Sequence, residues 1–202
     1  MMIMKRLYFI LMTAALIAVS CDKLPLQKGY DYDPKPLDPH QGMTCWDYIT
    51  KSQDLAIMKQ AVEKCGLTEL YAQEKPEYTY LLLDDTAFSS YVFKQLEISS
   101  IEEAEADELR DILFFHIIKG EYSSYNGVLG YEPVHVLTLW NSLDAVMTIK
   151  LNDDKSLSSK RQDKVTLMDQ CGSSTVIYAR TSDLLMTNGP AHILSRNCVY
   201  KK

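Results

Sequence analysis

Two stretches place a histidine where a proton could be moved. "ILFFHII" (112–118) carries His116, and "TNGPAHIL" (187–194) carries His192. An imidazole titrates near neutral pH, so each could serve as a general base or a metal ligand. The nucleophiles that could pair with them are Cys171, Ser173 and Ser174 in "QCGSS" (170–174). Nucleophilic catalysis needs such a group beside an oriented base. No G-x-S-x-G elbow is present, however, and "QCGSS" reads as a turn between strands. A zinc site needs three or four ligands, and the chain contains no H-x-H, H-x-x-x-H or His–Glu cluster. "NDDKS" (152–156) lacks the closing Glu of a calcium loop, and "EEAEADE" (102–108) reads as a solvated helix face. Neither metal nor cofactor is expected. Buried polar groups must be paired. His116 is therefore expected to bond to backbone at a helix-to-strand junction. Thr187, Asn188, Gly189 and His192 are expected to knit a turn onto neighbouring strands, with Asn188-Gly189 supplying positive φ.

The cysteines offer a second chemistry. Beyond Cys21 there are four, Cys45, Cys65, Cys171 and Cys198. An even count in an exported chain suggests disulfides, and the order along the chain favours Cys45–Cys65 and Cys171–Cys198. Buried free thiols are the alternative. The spacings match no paired C-x-x-C zinc pattern.

Export is suggested by the first residues. "MMIMKRLYFILMTAALIAVSC" has a basic Lys5-Arg6 pair, then an apolar run from Leu7 to Val19 that is short for a membrane span, which needs about 20 residues. It resembles a bacterial lipoprotein signal peptide with "LIAVSC" as lipobox, which implies removal of residues 1–20 and lipidation of Cys21. Each buried CH₂ of an acyl chain adds about 0.8 kcal/mol of membrane affinity. Without residues 1–20 the formal charge moves from −6 to −8, because Lys5 and Arg6 go. That balance disfavours nucleic acid and anionic headgroups as partners.

The elements that must position these residues follow a simple order. Residues 21–43 hold four of the seven prolines and little apolar periodicity, and read as a lipidated cysteine plus a flexible tether that includes His40. Stretched out, such a tether spans about 70 Å. Thr44 is a candidate N-cap for a helix starting "CWDYI". Leu55, Met58, Val62 and Cys65 share one helical face that Gly66 can stop. "YTYLLL" (78–83) is rich in β-formers, and Asp84-Asp85 can cap a helix over "TAFSSYVFKQL". After Gly120 the chain turns strand-like in "VHVLTLW", "AVMTIKL", "KVTLMD", "STVIYA" and "AHILSRNCVY". Helices first and strands later make an α+β domain over 44–202, with the helices packed on a β-sandwich or wedge.

Three boxes in this order, "YTYLLLDDTAF" (78–88), "ELRDILFFHIIKG" (108–120) and "DLLMTNGPAHIL" (183–194), resemble the fasciclin (FAS1) domain family. "LLDD" stands where the family usually has an Ala-Pro-Thr turn, Phe115 where Tyr is commoner, and Pro190-Ala191 where β-branched residues are usual. The resemblance implies a single FAS1 domain of the kind carried by Bacteroidetes-type lipoproteins. By the same resemblance, Phe115 and His116 would form an interaction motif. Tyr122, Tyr125 and Tyr131, in the loop "GEYSSYNGVLGYE" (120–132), form a second candidate contact surface, because tyrosine offers large area with a polar tip. The expected role is a non-enzymatic binding or adhesion module of the cell envelope, lipid-anchored in the outer membrane, touching a protein or glycan. The alternatives are an accessory lipoprotein of an outer-membrane polysaccharide-uptake assembly and, more distantly, a hydrolase.

Overall fold

A computed structural model describes residues 38–153, 165–169 and 176–198. Cys21, most of the tether, "QCGSS" with Cys171, and Asp154–Ser156 of "NDDKS" lie outside them. The chain opens with α1 (Cys45–Lys51), where Thr44 and Asp47 exchange side-chain and backbone bonds in a capping box. A 3-10 turn over Gln53–Leu55 leads into α2 (Ala56–Lys64), which ends before Gly66 at φ 67°. Then come α3 (Thr68–Ala72) and β1 (Tyr78–Leu83).

The two aspartates of "LLDD" cap two different helices. Asp84 accepts from Ala87 N at 2.9 Å and starts its own helical segment. Asp85 accepts from Ile57 N at 2.9 Å, near the start of α2. The segment they open runs through α4 (Asp85–Ala87), a π turn (Phe88–Val92) and α5 (Phe93–Leu96). Asp107 and Glu108 occupy the first turn of α6 (Ala106–Phe115), where negative charge suits the helix dipole.

The strands form two four-stranded sheets. The first has the order β2 (Ile117–Lys119), β1, β8 (Gly189–Leu194), β7 (Thr181–Met186). β1 and β8 lie side by side in parallel, from Tyr80 opposite Ala191 to Leu83 opposite Leu194, and the outer pairs are antiparallel. Both central strands are almost wholly buried, which explains their mostly apolar sequences; Thr79 and His192 are the buried polar residues among them. The second sheet is an antiparallel run of β3 (Val134–Leu137), β4 (Val146–Leu151), β5 (Val165–Asp169) and β6 (Val176–Tyr178). Leu81, Leu83, Phe88, Ile112, Phe115, Met147 and Leu167 belong to one buried core joining helices and sheets. Fully burying a side chain of this size is worth about 1.5–3 kcal/mol.

Two features depart from the sequence expectation. β7 is a strand although "TSDLLM" opens with three polar residues; a register shift between Thr181 and Leu184 absorbs Asp183, which sits at φ 58°. The compact unit also begins at Asp38 rather than Thr44. Leu185 N donates to Pro39 O, Gln41 N to Leu185 O and Thr187 N to Met43 O, so residues 39–43 run along the edge of β7.

Candidate functional site

His116 caps α6 and is wholly buried. Its Nδ1–H donates to Ile112 O at 2.7 Å, and its Nε2 accepts from Cys198 N at 2.9 Å. A carbonyl can only accept and an amide N–H can only donate, so these partners fix one neutral tautomer. Burial pushes its pKa down to about 4, only partly offset by the bond to Ile112. His192, on β8, is also buried but holds the opposite tautomer. Its Nδ1 accepts from Asp183 N and its Nε2–H donates to Tyr122 O, both at 3.0 Å. Burial again lowers its pKa, against the pull of the Asp183 carboxylate. With both nitrogens engaged by backbone, neither imidazole has a lone pair left for a metal or a substrate proton. Neither is bonded to a serine or cysteine side chain among the described residues.

The turn before His192 is tied down just as tightly. Asn188 accepts from Cys45 N at 2.9 Å and donates to Tyr71 O at 2.9 Å and Tyr80 Oη at 3.4 Å. One amide thus joins the β7–β8 turn to the start of α1, the end of α3 and the middle of β1. Gly189 at φ 128° passes so close to β1 that a Cβ there would strike the Tyr78 carbonyl oxygen. Tyr71 Oη is the exception in this knot, buried without a partner among the described residues.

Cys45 and Cys65 are buried and unbridged, as in the free-thiol alternative rather than the Cys45–Cys65 pairing. Cys198 is buried, and its expected partner Cys171 lies outside the described residues. Cys45 is the first residue of α1, with its N–H held by Asn188; Cys65 caps α2, with its sulfur 3.5 Å from Ala106 O. Burial raises the Cys45 thiol pKa well above its usual value and that of Cys65 to about 11, so both stay protonated and unreactive.

Phe115 and His116 are wholly buried and present no surface to a partner, which corrects the expected interaction motif. Phe115 packs edge-on against Trp140 with ring centroids 5.9 Å apart. The tyrosine loop divides. Tyr122 is half-buried against the core, whereas Tyr125 is 62% and Tyr131 49% exposed. The loop is pinned at its base, where Thr79 Oγ1 donates to Gly120 O and accepts from Tyr122 N. Ser124 gives its N–H and hydroxyl to the two Asp183 oxygens at 2.9 Å.

That pinned loop forms one wall of a groove of about 500 Å³. Glu121, Ser123, Tyr125 and Asn126 line it together with Pro76, His40 and residues of the β7–β8 turn. The floor is apolar, from Pro76, Leu185, Met186 and Pro190. Size and lining both match the usual character of a small-ligand site. Of the groove residues, sequence reasoning expected a contact role only for Tyr125. Thr187, expected to knit the turn through its side chain, is instead exposed with no side-chain bond to the described residues, while Gly189 serves the turn as expected. Pro76 was not singled out, and His40, expected in the tether, reaches the groove because residues 39–43 pair with β7. The neighbouring Asp38 carboxylate, 2.8 Å from His40 Nδ1, is held below its usual pKa by bonds to His40. Among the described residues no cluster of three metal-binding side chains occurs, and no helix is long and apolar enough to cross a membrane.

No family model matches the chain, and no curated protein matches it. Among solved structures it is similar to a FAS1 domain pair from the insect cell adhesion molecule fasciclin I. The TM-score is 0.55 at 12% sequence identity, over 78% of this chain and 51% of that one. The chain therefore spans about half the length of that pair, and the likeness establishes an α+β, FAS1-like fold.

Proposed function

We propose that the protein is a non-enzymatic binding module of the cell envelope, anchored through Cys21 and making its contacts at the groove. The observation that carries this reading is the contrast between the histidines and the groove. His116 and His192 have both nitrogens engaged by backbone, while Tyr125 and Thr187 face solvent beside an apolar floor. Proton transfer needs a free, titrating base, whereas recognition needs exposed area and polar tips. The similar FAS1 pair comes from an adhesion molecule, which agrees with a contact role. A lipidated Cys21 followed by the proline-rich tether would hold the groove at the surface of the outer membrane.

The test uses the intact protein in its own cells. A photo-crosslinking side chain at the position of Tyr125 should yield adducts that one at Gln53, outside the groove, does not. Replacing Cys21 with Ser should move the protein out of the membrane fraction. No adduct at Tyr125, or adducts equal at both positions, would remove the groove from the reading. Continued tight membrane association of the Cys21→Ser protein would remove the anchor.

A further inference from the structure

The groove's polar groups differ in what they are used for. Ser123 Oγ accepts from Tyr125 N, and Asn126 bonds Glu121 O and Val128 N, so both build the loop. The Glu121 carboxylate, the Tyr125 and Thr187 hydroxyls and His40 Nε2 spend no hydrogen bond on the described residues. His40 Nδ1 is held by Asp38, which leaves Nε2 as its outward nitrogen.

We infer that this groove binds an uncharged saccharide, a step that rests on the binding-module reading above. Four features select that chemistry. The exposed Tyr125 ring and the floor of Pro76, Met186 and Pro190 suit the C–H face of a sugar ring. The unspent carboxylate, hydroxyls and imidazole suit the hydroxyls at the ring's edge. Among the described residues no lysine or arginine lines the groove, while Glu121 and His40, the latter bonded to Asp38, do. Anionic sugars would meet repulsion with no compensating cation.

The fourth feature weighs against a peptide. An extended peptide gains most of its affinity from a backbone ladder along a strand edge. Here the groove-side backbone of β7 is taken, since Leu185 N and O and Thr187 N already bond residues 39–43. The groove, at about 500 Å³, has the volume of a small-ligand site, which typically runs from about 300 to 1,000 Å³. What remains open is side-chain chemistry around a concave apolar surface.

The intact lipoprotein in a sugar-free zwitterionic detergent would be titrated with neutral tetrasaccharides of glucose, mannose, galactose and xylose. A tetragalacturonate serves as the charged counterpart. Isothermal titration and saturation-transfer NMR report binding. At least one neutral tetrasaccharide should bind with a dissociation constant of about 1 mM or tighter, and the galacturonate at least about tenfold more weakly. Tyr125→Ala and Thr187→Ala should each weaken the neutral ligand, the first by about tenfold, with the melting temperature unchanged. Three results would overturn the assignment: no neutral ligand bound at about 10 mM, equal binding of the galacturonate, or affinity unmoved by Tyr125→Ala. Crosslinking at Tyr125 separates the failures. Adducts without saccharide binding would sink the saccharide and leave the binding module standing, whereas absence of both would sink the two together.

Discussion

Asn188 is wholly buried and divides its amide among Cys45, Tyr71 and Tyr80, while its neighbour Thr187 is exposed and keeps its hydroxyl in solvent. The same division separates Tyr122, whose carbonyl receives His192, from Tyr125 three residues on, whose ring is open. Within one turn and one loop, the inner members hold the fold and the outer members face the groove. Residues with catalytic potential fell to the inner set because satisfying them there is what makes their burial tolerable. The recognition chemistry therefore belongs to the less conspicuous outer set, and substitutions on either side should behave differently.

The largest expected effect is at the innermost point. Gly189→Ala would place a methyl group against the Tyr78 carbonyl while forcing a side chain onto φ 128°. Parting β1 from β8 to relieve the clash opens the centre of the first sheet. A loss of roughly 3–5 kcal/mol is expected, read by denaturant unfolding or as failure to yield folded protein. A stable Gly189→Ala protein would mean that β8 does not lie where the pairing places it.

Asn188→Ala comes next. It leaves the buried Cys45 N–H and Tyr71 carbonyl without their partners, at an expected loss of about 2–4 kcal/mol. Asn188→Asp is the sharper form of the test. It keeps an acceptor for Cys45 N but turns a carboxylate oxygen toward Tyr71 O, so it should fall well short of the native stability. Equal stability of the Asp variant would show that the donor half of the amide contributes little.

This knot also shows what could be read from the chain. The three boxes were legible through the family resemblance, and the capping threonine and the change from helices to strands because they rest on local periodicity and turn chemistry. β7 was not, because Thr181-Ser182-Asp183 reads as polar loop; the bulge at Asp183 lets a carboxylate sit in a strand and receive Ser124. Residues 39–43 were hidden for another reason. Their contacts use main-chain carbonyls and amides that any sequence carries, proline's carbonyl included. The apolar run around His116 already pointed to burial, and only the family likeness suggested an exposed motif there. The groove depends on both hidden features, so its full lining could not be assembled from sequence alone.

An intermediate effect depends on pH. The folded pKa of His116 lies at about 4, below the roughly 6.5 of an unfolded histidine. Between those values the unfolded chain binds a proton that the folded chain refuses. The stability is therefore fully present above about pH 6.5 and is lost as pH falls toward 4. From pH 7 to pH 4.5 the native protein should lose about 2–3 kcal/mol more than a His116→Gln variant, measured by urea unfolding at each pH. His192, also depressed by burial and facing Asp183, adds a loss of the same sign to both proteins and cancels in the difference. Parallel pH curves would mean that the His116 ring is open to protons in the folded state.

The smallest stability effect should come from the outer set, and its smallness is the point. Tyr125 donates only a backbone N–H to Ser123, and Thr187 only a backbone N–H to Met43; neither side chain bonds to the described domain. Truncating either to Ala should change unfolding stability by no more than about 0.5 kcal/mol, as at ordinary surface positions. A loss above about 1.5 kcal/mol at Tyr125 would place its ring among the groups that build the loop, next to Tyr122. The ring would then cease to be a free contact surface, and the division between inner and outer residues would close. Near-neutral stability alongside lost crosslinking or saccharide binding would instead fix the division at Tyr125, because a side chain that the fold does not need would be one that the contact does.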